Sequence, residues 1–215
     1  MKILELFAGT RSIGKEFELK GHQVFSVEWD KKFEHIDLYT DIEFLTKETI
    51  ISLFGIPDVI WASPDCTTYS VAGISHHRIN KGDLHYYPIS DYAKKSDRVN
   101  DNLWKLIKSF LEINPNLIYF VENPRGVYRK MYFVNEIPRY TVTYCQYGET
   151  RMKPTDLFTN HSDPKFKPPC KNGDSCHVSA PRGSQNGTQG LKTVDRSRIP
   201  SLLCKHIVEI TEDLK

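Results

Sequence analysis

No apolar run in this 215-residue chain approaches the roughly 18 residues needed to cross a bilayer, so no membrane span is expected. Cysteine is scarce: there are five, an odd number, scattered along the chain. A disulfide framework is therefore not expected. The opening MKILELFAG also lacks the layout of a secretory signal, and the expected location is cytoplasmic, in a reducing compartment. Repeats and low-complexity tracts are absent, which excludes solenoid and fibrous designs. Charge of one sign is in little excess, at a formal net +2, so the total does not announce a nucleic-acid binder. The dinucleotide pattern G-x-G-x-x-G is missing. What is present, 39% hydrophobic and 26% charged residues, suits one compact domain and excludes wholesale disorder.

The small net charge hides an asymmetry. Residues 1–65 carry −5 and residues 66–215 carry +7. Such a split is either ordinary solvated surface or a division between a small-molecule end and a polyanion-facing end. Apolar runs at Lys2–Phe7, Gln23–Trp29, Asp58–Ser63 and Leu117–Val121 alternate with helical patterns. The helices are expected from Ser12 to Gly21 with Ser12 as cap, over Thr46–Phe54, and over Asp101–Ile113. Alternation of this kind predicts an α/β fold with a mainly parallel, doubly wound sheet. Antiparallel strands are expected around Arg139–Tyr147 and Thr155–Thr159, and a closing helix over Ile199–Leu214. Residues 70–100 read as a long polar connection, functional or mobile, and residues 161–198 as largely irregular.

The first strand runs into Phe7-Ala8-Gly9-Thr10-Arg11-Ser12, a small turn that lets a ligand approach the backbone and the amides of a helix. Glu28 ends the next strand, where an acid can accept both hydroxyls of a ribose. The alternative is a glycine turn beside a surface glutamate. Without the full glycine pattern a pyrophosphate is poorly cradled, which disfavours NAD and FAD and favours adenosine without phosphates. Asp41 is either a contact for an adenine amino group or a loop aspartate.

A third apolar run delivers Ser63-Pro64-Asp65-Cys66-Thr67-Thr68-Tyr69-Ser70 to the ligand-binding rim of such a sheet. Another ends in Glu122-Asn123-Pro124-Arg125-Gly126. Neighbouring strands would place Cys66 and Glu122 together, a pairing suited to nucleophilic attack with proton donation.

In chain order these segments resemble the cytosine-C5 DNA methyltransferases. Leu6-Phe7-Ala8-Gly9 is similar to the family's first motif, which binds S-adenosylmethionine. Glu28-Trp29-Asp30 stands where the ribose-binding acid stands, and Asp41-Ile42 where the adenine-contacting acid stands. The Cys66 segment, continuing to Ala72-Gly73, resembles the catalytic Pro-Pro-Cys-Gln-x-Phe-Ser-x-Ala-Gly motif, and Glu122-Asn123-Pro124 the Glu-Asn-Val motif. Tyr147-Gly148 followed by Arg151 and Lys153 roughly matches the later Tyr-Gly and Gln-x-Arg-x-Arg region.

The resemblance implies a Rossmann-like domain of the S-adenosylmethionine-dependent methyltransferase type, spanning 1–215, with a small irregular C-terminal insertion. It implies Cys66 as nucleophile and Glu122 as acid. The cofactor is expected at Phe7, Ala8, Gly9, Thr10, Arg11 and Ser12, at Glu28, Trp29, Asp41 and Ile42, and at Pro64. Substrate contacts are expected from Ser70, Arg78, Asn123, Arg125 and Arg151. DNA is the expected partner, its cytosine flipped out under the 70–100 loop, with His76, His77 and Arg78 on phosphates. The same chemistry on RNA or a free nucleotide, or a non-catalytic relative that binds nucleic acid, are the alternatives.

The chain departs from the family's pattern. Arg11-Ser12 replaces a Gly-Gly pair, Asp65 the second proline and Thr67 the glutamine. Only residues 161–198 stand in place of a target-recognition domain, which implies relaxed specificity or a targeting protein partner. The final motif that completes the cofactor pocket is not evident. In the irregular stretch, Arg182–Gly187 reads either as a nucleic-acid contact or as a polar loop. Cys170, Cys176 and His177, with Cys204, His206 and His161 near them in sequence, read either as a zinc site of unusual spacing or as free thiols and solvated histidines.

Overall fold

Short strands with apolar residues on both faces need cover on both sides. Three of them, β1 (Lys2–Leu6), β4 (Val59–Ala62) and β7 (Ile118–Pro124), lie side by side in parallel at the centre of a seven-stranded sheet. The computed structural model describes residues 1–82, 84–179 and 193–214. Beyond β1 the sheet continues through β2 (Gln23–Glu28) to β3 (Leu38–Tyr39), both parallel to it. Beyond β7 it turns antiparallel, through β9 (Pro154–Thr159) to the edge strand β8 (Arg139–Thr143). The order is β3-β2-β1-β4-β7-β9-β8, a Rossmann-like doubly wound sheet with helices on both faces.

Alternate residues feed two cores. Leu4, Leu6, Ile60, Ala62 and Val121 pack on one face, against Ile50 of α2 (Lys47–Leu53) and Leu103, Ile107 and Phe110 of α4 (Asp91–Ile113). Ile3, Val59, Trp61 and Phe120 pack on the other, against Ile13 and Phe17 of α1 (Ser12–Leu19) and Leu203 and Ile207 of α6 (Ser201–Glu212). Each fully buried side chain of this size contributes about 1.5–3 kcal/mol.

Three expectations are corrected. The helix α4 begins at Asp91 rather than Asp101, with Ser90 Oγ accepting the Ala93 amide at 3.1 Å. Its first turns bury Ser96, Asp97 and Asn100, so the buried face there is polar and carries no apolar period. Regular structure also fills the rest of 70–100: α3 (Ile74–His77) and the hairpin β5 (Arg78–Lys81) and β6 (Leu84–Pro88). Finally, Ser12 does not cap α1. Arg11 is the N-cap residue, without a side-chain cap bond, and Glu5 Oε1 reaches up from β1 to take the Gly14 amide at 3.0 Å.

The 161–198 stretch contains the short α5 (Thr193–Ser197) and has no strand or helix over 161–179. Arg182–Gly187 lies outside the described residues. Among the described residues no helix is long and apolar enough to cross a membrane.

Candidate active site

The strands β4 and β7 are parallel neighbours, so the loops leaving their carboxyl ends emerge together. One carries Cys66, and the other follows Pro124, two residues beyond Glu122 in β7. The two loops are tied directly: Asn123 Nδ2 donates to the Pro64 carbonyl at 3.0 Å. Gly126 meets the neighbouring 3-10 turn (Thr67–Tyr69) so closely that a Cβ there would lie 2.6 Å from the Tyr69 carbonyl oxygen. A side chain at Gly126 would force the two loops apart.

Beneath the Cys66 loop lies a buried polar network. Tyr69 Oη donates to Asp97 at 2.8 Å and accepts from Asn100 Nδ2 at 3.1 Å. Tyr128 Oη donates to Asn100 Oδ1 at 2.8 Å and accepts from Trp104 Nε1 at 3.3 Å. Arg78 closes the network. Its guanidinium donates to both Asp97 oxygens, at 2.6 and 3.0 Å, and to the Thr68 carbonyl at 2.9 Å, and it stacks on the Tyr69 ring. Every donor has an acceptor, as buried polar groups require. Arg78 was expected on DNA phosphates. It is buried and committed to protein partners, so its place is under the loop. His76 is exposed, and His77 Nδ1 lies 2.9 Å from Ser90 Oγ.

Around Cys66 the charges are mixed. Burial, then the Asp65 and Glu122 carboxylates, push the thiol up to about 11, while Lys153 opposes them. At neutral pH the Cys66 side chain is therefore a protonated, neutral thiol. Glu122 is buried, and Tyr144 Oη donates to its Oε1 at 2.9 Å. Burial and that carboxylate hold the Tyr144 hydroxyl far above its ordinary range, so it stays a donor. Lys153 Nζ sits 4.4 Å from the Tyr144 ring centroid and donates to the Arg196 carbonyl at 2.9 Å. Burial pushes its ammonium down, against the pull of Glu122 and Cys66.

Tyr144 and Lys153 were not marked as site residues from the sequence. Lys153 lay two positions after Arg151 in a motif-like run, which was the only signal. The expected substrate residue Arg151 is buried and paired with Glu149 at 3.0 Å, with its charge felt at Lys153. Arg125 is exposed, its amide bonded to the Pro154 carbonyl at 2.9 Å. Ser70 is half-buried at the end of the 67–69 turn. Asn123 keeps a buried Oδ1 without a partner among the described residues.

The loop after β1 turns sharply. Phe7, Gly9 and Arg11 take positive φ of 54°, 49° and 57°, a run costly for the two non-glycine residues. Glu28 is the strut that holds it. Its Oε2 accepts the Gly9 amide at 3.0 Å, and its Oε1 the Trp29 and Asp30 amides at 2.9 and 3.0 Å. Arg11, expected on the cofactor, is buried with its guanidinium on Glu18 and 3.9 Å from Glu5. Asp41 is bonded to Lys95 at 2.7 Å and accepts the Glu43 amide at 3.0 Å; Ile42 is buried beside it and Trp29 is exposed.

Two cavities meet at Gly9, Thr10, Ser12 and Ile199. One is a cleft of about 460 Å³ that also carries Lys15, Glu16, Lys32, Glu34 and Arg198. The other, about 70 Å³, runs inward past Phe7 and Ala8 to Glu5, Trp61 and Ser63. The chain's end returns to this place. Helix α6 packs on α1, Ile199 donates its amide to Ser12 Oγ at 3.4 Å, and Arg198 and Ser201 line the cleft. The closing helix expected over Ile199–Leu214 is present as α6, whereas its approach to the cleft has no sequence motif and shows only in the packing.

No family model matches the chain. A curated protein of Frog virus 3 (isolate Goorha), the "Probable DNA (cytosine-5)-methyltransferase", is 27% identical over 230 residues, covering 98% of this chain and 100% of that protein. A solved structure of a putative DNA modification methyltransferase encoded within an Escherichia coli prophage superposes with a TM-score of 0.52 at 15% identity, covering 74% of this chain and 46% of that one. An Entamoeba histolytica methyltransferase superposes with a TM-score of 0.52 at 14% identity, covering 74% and 52%. The chain thus spans about half the length of these solved structures, and at such identity they establish the fold. The resemblance to cytosine-5 DNA methyltransferases read from the motifs therefore extends, through the viral relative, along nearly the whole chain.

Proposed function

We propose that this chain methylates C5 of cytosine in DNA, with Cys66 as nucleophile and Glu122 as general acid. The observation that carries the reading is the convergence of a Pro-x-Cys loop and a buried, tyrosine-bonded glutamate on adjacent strand ends, at one rim of a methyltransferase fold.

The residues at the other end of that rim fit S-adenosylmethionine. The 460 Å³ cleft falls in the usual range for ligands of about 300–1,000 Å³. Its lysines and glutamates suit an amino acid's carboxylate and ammonium, and Glu28 holds the Gly9 turn as an adenosine pocket requires. Gly9, Thr10 and Ser12 line that cleft and would hold the cofactor, while Glu28, Trp29, Asp41 and Ile42, which lie outside its lining, are the proposed contacts for the adenosine. When bound, it supplies an electrophilic sulfonium methyl group.

The protein's own groups divide the remaining work. C5 of cytosine is too weak a nucleophile on its own. Cys66 Sγ bonds to C6 and gives its proton to solvent or base during the attack, so the ring becomes an enamine at C5. Glu122 takes up a proton from solvent as the base enters, then donates it at N3 and so neutralises the charge created by that addition. Tyr144 fixes the carboxyl by holding Oε1. Lys153 keeps a positive charge beside both groups, favouring the thiolate as it forms. After C5 takes the methyl group, its proton passes to solvent, the C5–C6 double bond re-forms as the Cys66 thiolate leaves C6, and N3 returns its proton to Glu122. A cytosine inside a duplex must leave the stack first, at a cost of a few kcal/mol. Within the 70–100 stretch, α3 and the strands β5 and β6, tied to α4 by the Arg78–Asp97 pair, are the proposed cover for the extruded base.

The test is covalent trapping. Duplex DNA of random sequence containing 5-fluorocytosine, incubated with the protein and S-adenosylmethionine, is expected to give a complex that survives denaturing electrophoresis. Peptide mapping should place the bond on Cys66, and Cys66→Ala should abolish it. A complex that persists in Cys66→Ala, or that maps elsewhere, contradicts the assignment.

A further inference from the structure

Four side chains that the proposed reaction does not use meet around Cys145, the residue after Tyr144. Cys145 lies on the 3-10 turn Tyr144–Tyr147, after β8. Cys170, Cys176 and His177 come from the irregular stretch between β9 and α5. Their ligand atoms all lie within 4.8 Å of one another. Cys176 Sγ is 3.6 Å from Cys145 Sγ, His177 Nδ1 is 3.6 Å from Cys176 Sγ, and it is 3.7 Å from Cys170 Sγ. A tetrahedral zinc with bonds of about 2.3 Å to sulfur and 2.0–2.1 Å to nitrogen has edges of about 3.8 Å between sulfurs and about 3.5 Å from sulfur to nitrogen. These three distances match such edges. A fourth, 3.1 Å between Cys145 Sγ and Cys170 Sγ, is somewhat shorter, yet well beyond the roughly 2.05 Å of a disulfide, and the other two pairs lie within 4.8 Å.

We propose that Cys145, Cys170, Cys176 and His177 form a structural Zn²⁺ site. Three thiolates and one imidazole are a closed set for zinc, soft enough to exclude magnesium and calcium. Binding releases the thiol protons and leaves a site of net charge −1. The surroundings are built for it. Gln146 Nε2 points at Cys176 Sγ from 3.5 Å, and the Cys170 amide donates to Thr143 Oγ1 at 3.0 Å. The Val178 amide donates to the Thr150 carbonyl at 2.8 Å, so the two ends of the ligand run are pinned on either side of the Tyr144–Tyr147 turn.

A purpose follows from the chain's composition there. Residues 161–179 contain no helix or strand, so they gain little from backbone ladders. A metal crosslink to Cys145 supplies what a small core cannot. It also fixes the residue next to Tyr144, whose hydroxyl holds Glu122. The adjacent Cys176-His177 pair supplies two ligands because the irregular backbone turns both side chains inward. Cys204, His206 and His161, grouped with this cluster in the sequence reading, are elsewhere. They bond to the carbonyls of Ile199, Pro164 and Ile210.

The experiment uses the full chain, purified without a histidine tag or chelator. Elemental analysis should find about one zinc per chain. After removal of the metal, titration with Co²⁺ should give the visible bands of tetrahedral cobalt with thiolate charge transfer, saturating at one equivalent and displaced by Zn²⁺. Cys145→Ser and Cys176→Ser should lose the zinc, while Cys66→Ser keeps it. The metal readout is independent of methyl transfer, so either proposal can fail alone. Protein that carries no zinc and gives no tetrahedral cobalt spectrum overturns the site. So does a Cys145–Cys170 disulfide in reduced preparations, or full zinc content in Cys145→Ser. The cobalt titration of the unaltered chain decides the matter even where a variant fails to fold.

Discussion

The pH dependence of Cys66 alkylation follows directly from the charges around it. With the thiol near 11, about one molecule in a thousand carries the thiolate at pH 8, against about a quarter for an unperturbed cysteine near 8.5. A more basic thiolate is a better nucleophile, which recovers about tenfold. Reaction with iodoacetamide, followed at Cys66 by peptide mass mapping, is therefore expected to run about twentyfold slower than a free thiol at pH 8. The half-buried position slows it further, so the shape of the pH profile is the diagnostic. The rate should rise about tenfold per pH unit from pH 7 to 10 without levelling. Glu122→Gln removes one of the carboxylates that raise the thiol, and should speed alkylation even as methyl transfer falls. Lys153→Met should slow alkylation. A profile that levels below pH 9, or slower alkylation in Glu122→Gln, would refute the electrostatic account.

Three further outcomes are expected. Asp97→Ala leaves the Arg78 guanidinium buried and unpaired, and should lower stability in urea unfolding by about 3–5 kcal/mol; a loss under 1 kcal/mol would contradict the network. Burial raises the Glu5 carboxyl to about 7 against 4.5, with the Gly14 amide as the main opposing influence. The folded state thus binds more protons than the unfolded state between those values. Stability should fall by about 3 kcal/mol as pH rises through that window, and Glu5→Gln should flatten the fall. Tyr144→Phe deletes a hydrogen bond to a carboxyl worth about 1.5–3 kcal/mol, so kcat for methyl transfer should drop about ten- to a hundredfold; unchanged kcat would remove Tyr144 from the mechanism.

The sequence made the sheet legible where burial is apolar on both faces. The runs that became β1, β4 and β7 need no partner information to be recognised as strands. The start of α4 escaped because its buried face uses Ser96, Asp97 and Asn100, whose hydrogen bonds leave no hydrophobic period. The helix α1 looked capped by Ser12, whereas its amide partner is Glu5 on β1, a contact between elements. The proximity of Cys66 and Glu122 was legible because one follows and the other closes an apolar run at the carboxyl ends of neighbouring strands. Tyr144 and Lys153 were not, since they reach Glu122 only through the antiparallel β9–β8 return. Cys145 was passed over for the same reason: 25 residues and a strand separate it from Cys170. Arg78 was read as a basic loop residue because its partner Asp97 lies 19 residues on, across the hairpin.

The most direct measurement of the central claim is transfer of tritium from methyl-labelled S-adenosylmethionine to three substrates in parallel: duplex DNA, RNA and dCMP. Label recovered at C5 of cytosine in the DNA, and lost with Cys66→Ala, is the predicted result. Label confined to RNA or dCMP would contradict the proposed substrate. Label in DNA undiminished by Cys66→Ala would contradict the proposed chemistry.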